Sequence, residues 1–91
     1  MNLSDLINSK DVKIVDVRTI TEFAGGCVEG SLNIPLNEVP QRVEELKKLQ
    51  PMVMCCAAGV RSGQAVNYLN QMGLKEVYNG GSWQEVSSMI K

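Results

Sequence analysis

Pro51-Met52-Val53-Met54-Cys55-Cys56-Ala57-Ala58-Gly59-Val60-Arg61-Ser62 is the stretch from which the fold can be read. Its first five residues form a continuous apolar run, the mark of a strand buried on both faces. Small residues follow, and residues 62–72 then repeat Ala65, Val66, Leu69 and Met72 at helical spacing before Gly73. A buried strand, a tight loop and an amphipathic helix in that order belong to a parallel α/β unit.

The rest of the chain can be read outward from there. Val12-Lys13-Ile14-Val15-Asp16-Val17 is β-branched and bounded by polar residues, which predicts another strand. Leu3-Ser4-Asp5-Leu6-Ile7 reads as a short opening helix, and Thr21-Glu22-Phe23-Ala24 as a second one halted by Gly25-Gly26. Ser31-Leu32-Asn33-Ile34 suits a short strand stopped by Pro35. Residues 38–49 place Val39, Val43, Leu46 and Leu49 near a 3.6 period, predicting one amphipathic helix with Pro40 in its first turn. Glu76-Val77-Tyr78 reads as the last strand and Gly80-Gly81 as a turn. Ser82 reads as the cap of a closing helix through Ile90. The expected fold is therefore α/β, a small parallel β-sheet flanked by helices on both faces, in a single domain over residues 1–91. Such sheets bind ligands at the carboxyl ends of their strands, here residues 16–18 and 55–61.

Composition narrows the chemistry. The chain has 91 residues, with nine basic and ten acidic side chains and a net charge of −1, so it lacks the clustered positive charge of a nucleic-acid binder. No apolar stretch reaches the length of a membrane span. Met1-Asn2-Leu3-Ser4-Asp5-Leu6 has neither a basic start nor an apolar signal core, so export is not expected. Three cysteines, two of them adjacent, make a poor disulfide framework and suggest a reduced cytoplasmic protein. There are no histidines, which removes Ser-His-Asp and Cys-His nucleophile systems and His-ligated zinc.

A nucleophile in this chain must be activated by backbone dipoles and cations. Between Cys56 and Arg61 the residues Ala57, Ala58, Gly59 and Val60 are small, so their amides can curl around one centre as an anion-binding nest. The next helix adds its positive N-terminal end, and Arg61 a fixed cation. A thiol at Cys56 should ionise readily in that setting. Ser62 reads as a helix cap whose hydroxyl also faces the loop. Cys55, within the apolar run, and Cys27, away from cations, read as packing residues. Asp16 and Arg18 either hold the loop and line its rim or form a local ion pair with Glu22. Trp83 reads as packing.

The chain resembles the rhodanese superfamily. Cys56-x-x-Gly59-x-Arg61-Ser62 is similar to that family's active loop. Ile14-Val15-Asp16-Val17-Arg18 with Glu22-Phe23 resembles its first strand and D-x-R…E-[FY] signature. The segment Gly26-Cys27-Val28-Glu29-Gly30-Ser31-Leu32-Asn33-Ile34-Pro35 resembles G-H-I-x-G-A-x-N-I-P, with Cys27 where the family usually has histidine. Tyr78-Asn79-Gly80-Gly81-Ser82-Trp83 resembles its closing segment. The resemblance implies a sulfurtransferase in which Cys56 carries sulfane sulfur as a persulfide, supported by Arg61 and by residues 57–60 and Ser62. It implies a small sulfur donor, a thiol or cyanide-like acceptor, and no metal or organic cofactor. Ala57 and Ala58 replace the cationic or polar residues of thiosulfate-using members, which points to low-charge donors. Two alternatives stand beside it: a persulfide relay module acting with a protein partner, marked by an apolar rim, and a cysteine-dependent phosphatase or arsenate reductase, counted as C-x5-R-S from Cys55.

Overall fold

Every residue of strand β3 (Met52–Cys56) is buried, as its unbroken apolar sequence predicts. This computed structural model describes residues 2–91, so Met1 lies outside the described residues. Strand β3 pairs with β1 (Lys13–Asp16) on one side and β4 (Val77–Ser82) on the other. The two-residue β2 (Leu32–Asn33) extends the sheet beyond β1. All pairings are parallel, and the strand order is β2-β1-β3-β4.

Side chains alternate along β3 and divide the core in two. Met52, Met54 and Cys56 face one apolar cluster, which includes Leu46 of α3 (Val43–Lys47) and Ala65 and Leu69 of α4 (Val60–Gln71). Val53 and Cys55 face the other, with Ile7 of α1 (Leu3–Ile7) and Val86 of α5 (Trp83–Met89). Helices thus cover both faces, and the adjacent cysteines point in opposite directions. The chain runs from β1 to β2 on one side and resumes at β3 on the other, making the carboxyl ends of β1 and β3 a topological switch point. Asp16 and Cys55 are register partners there.

Three local expectations are corrected. Residues 38–49 do not form one helix: a 3₁₀ helix spans Leu36–Arg42 with Pro40 inside it, and α3 follows. Proline has no amide to donate and its ring crowds an α-helical turn, so the regular helix begins only past it. Gly80-Gly81 is not a turn. Both residues lie in β4, where Asn79 pairs with Met54 and Gly81 with Cys55, leaving Gly80 as the extra residue of a bulge. A Cβ at Gly80 would stand 2.7 Å from methyl carbons of both Val53 and Val86, so only glycine fits. Ser62 does not cap α4, because Gly59, at φ 94°, holds that position and the helix starts at Val60.

The capping expected at Ser82 is present, as a reciprocal box with Glu85. Helix α2 (Ile20–Ala24) opens with the same device, built from Thr19 and Glu22. No helix among the described residues is long and apolar enough to cross a membrane.

Candidate active site

Cys56 ends β3 with its sulfur directed at the start of α4. Its Sγ accepts from the Gly59 amide at 3.0 Å and the Ser62 amide at 3.4 Å, and lies 3.3 Å from Ser62 Oγ. The left-handed backbone of Gly59 turns its amide inward, a conformation that glycine adopts without steric penalty. Burial pushes the Cys56 thiol up, but hydrogen bonds from the Ser62 hydroxyl and amide and from the Ala58 and Gly59 amides outweigh it. The net shift is downward. A cradle of donors around a thiol favours the thiolate.

Cys55 is the opposite case. It is wholly buried, and burial followed by the neighbouring Asp16 carboxylate pushes its thiol up to about 12. Cys55 packs into the apolar cluster on the face of β3 opposite Cys56, which weighs against a phosphatase loop counted from it.

Ser62 is buried in the first turn of α4, and its hydroxyl donates to Asn79 Oδ1 at 2.7 Å. That oxygen also accepts from the Gly81 amide, and Asn79 Nδ2 donates to the Gly59 carbonyl at 3.1 Å. Asn79 therefore ties the reactive loop to the bulge of β4. Sequence reasoning did not single it out, although Asn79 next to a Gly-Gly pair was the available signal.

Arg61 lies at the loop but makes its contacts elsewhere. Its Nη1 and Nη2 donate to the two carboxylate oxygens of Glu22 at 2.7 and 3.0 Å. Arg61 holds the Glu22 carboxyl down to about 2, with the Thr19 amide adding to the effect. Arg18 does not pair with the Glu22 carboxylate. It is buried against Asp16, with Nη2 2.7 Å from Oδ2, and reaches the Gly26 carbonyl and the face of Trp83. Asp16 and Arg18 thus brace the end of β1 on the Cys55 side rather than lining the cradle. Ala57, Ala58 and Val60 form the solvent-facing rim.

The wholly parallel sheet, its switch point and the amide-lined cysteine at a strand end define an α/β protein with a thiolate-stabilising loop. A model of the rhodanese-like domain matches residues 2–88, and the chain belongs to that family. It is 39% identical to a sulfurtransferase of Allochromatium vinosum over 81% of this chain and 69% of that protein. It is 35% identical to a thiosulfate sulfurtransferase of Escherichia coli over 80% of this chain and 72% of that one. Among solved structures, a rhodanese-like domain protein of Staphylococcus aureus superposes with a TM-score of 0.77 at 34% identity, over 91% of this chain and 80% of that one. The chain spans about two thirds of the length of several of the curated relatives it matches.

Proposed function

We propose that this protein is a sulfurtransferase that passes sulfane sulfur through a persulfide on Cys56. The observation that carries the reading is the convergence of the Gly59 amide, Ser62 amide and Ser62 hydroxyl on one sulfur. The Cys56 thiolate attacks the outer sulfur of the donor. A new S–S bond forms, the donor's bond to that sulfur breaks, and the remainder leaves with the electron pair, as sulfite from thiosulfate or a thiolate from an organic persulfide. An acceptor thiolate or cyanide then attacks the terminal sulfur and regenerates the Cys56 thiolate. The amides of the loop hold negative charge on sulfur in both half-reactions. Neutral Ala57, Ala58 and Val60 favour donors of low charge.

A relay to a protein acceptor is a second reading, and a specific observation favours it. Ile20 and Val60 are the most exposed large apolar side chains among the described residues, each at 69%. They begin α2 and α4, the two helices joined by Glu22 and Arg61.

Incubation with glutathione persulfide, followed by intact-mass measurement, tests the transfer reading. One added sulfur atom per chain that disappears on addition of cyanide, with thiocyanate formed, is expected. A chain that gains no sulfur from persulfide, polysulfide or thiosulfate would overturn it.

A further inference from the structure

Both arginines at this end of the sheet are already paired with carboxylates. Arg18 is buried against Asp16, and Arg61 is gripped through both terminal nitrogens by Glu22. The loop between Cys56 and Arg61 carries no other charged side chain. Glu22 is not free to drift, because its Oε1 also accepts from the Thr19 amide and hydroxyl in the capping box of α2. The Cys56 cradle is accordingly made of neutral dipoles beside a compensated ion pair. An anionic reactant that is to use Arg61 must displace a bidentate carboxylate, whereas a neutral one has nothing to displace.

We infer that Glu22 is the residue that selects reactants by charge at Cys56: by occupying Arg61, it disfavours anions, dianionic sulfur donors among them. This rests on the transfer reading for its meaning in the cell, but not for its chemistry at the sulfur. Glu22 acts through Arg61 and is a positioning residue. Its contact with Arg61 spans 39 residues of sequence and joins α2 to α4, so it controls the loop from another element.

Two alkylating reagents of like shape test it in the full chain. Iodoacetamide is neutral and iodoacetate anionic, and both consume the same thiolate, so their rate ratio at Cys56 cancels any change in thiol ionisation. Glu22→Gln keeps a residue suited to the capping box but removes the charge. The ratio of iodoacetate to iodoacetamide rates should rise about tenfold, and Glu22→Asp should bring it back toward the wild-type value. Arg61→Gln, which leaves Glu22 uncompensated, should drive the ratio below wild type. An unchanged ratio in Glu22→Gln, or equal losses with both reagents, overturns the inference. Failure of wild type to take up sulfur would defeat the transfer reading alone, because the alkylation ratio decides the role of Glu22 independently.

Discussion

Ser62 has a single hydroxyl proton and two neighbours competing for it. Asn79 Oδ1 accepts it at 2.7 Å, while the Cys56 sulfur waits at 3.3 Å. The amide of Asn79 is oriented by its bonds to the Gly81 amide and the Gly59 carbonyl, so its oxygen stays toward Ser62. With the thiol neutral, Cys56 can donate to Ser62; once it ionises, the hydroxyl turns to the sulfur, and Asn79 keeps the Gly81 amide. A hydrogen bond to a charged group is worth about 1.5–3 kcal/mol. Ser62→Ala should therefore slow iodoacetamide alkylation of Cys56 near neutral pH by roughly tenfold or more and move the midpoint of its pH profile upward. Peptide mapping that follows Cys56 alone would check this. An unchanged profile would remove the hydroxyl from thiolate stabilisation.

Elements differ in how much holds them. Helix α2 buries none of its residues, and it is attached by its Thr19–Glu22 cap and the pair between Glu22 and Arg61. The Glu22 carboxyl lies at about 2 in the folded chain, below its ordinary 4.5. A carboxylate depressed by folding adds stability that is complete above the ordinary value and disappears as pH falls toward the folded one. The urea midpoint of wild type should therefore drop more steeply than that of Glu22→Gln between about pH 4.5 and 2. The pair is over a third exposed on the Glu22 side, so the difference should be small. Parallel pH profiles would contradict it. The elements also mark where the sequence misleads. Val39, Val43 and Leu46 do face the core as a helical period predicts, but Pro40 divides the segment that carries them. Gly80-Gly81 has the composition of a turn and serves as a bulge, because crowding by Val53 and Val86 enters only in three dimensions.

Across the whole molecule, the separate strands and helices and the Cys56 loop were legible because their patterns are local. The apolar run of β3, the small residues after Cys56 and the period of α4 are contiguous and state their geometry directly. What was hidden depends on contacts between distant segments. Arg61 reads as a free cation until α2 brings Glu22 to it, and Asn79 reads as a strand residue until β4 lies beside the loop. The distinction between Cys55 and Cys56 combines both kinds of information. Spacing to Gly59 and Arg61 favours Cys56, and the alternation of β3 sends Cys55 into the opposite apolar cluster. Intact-mass measurement of folded Cys56→Ser and Cys55→Ser after incubation with glutathione persulfide decides whether Cys56 carries the sulfur. Cys55→Ser should gain one sulfur atom and Cys56→Ser none; sulfur on folded Cys56→Ser, or its absence from folded Cys55→Ser, would contradict the account.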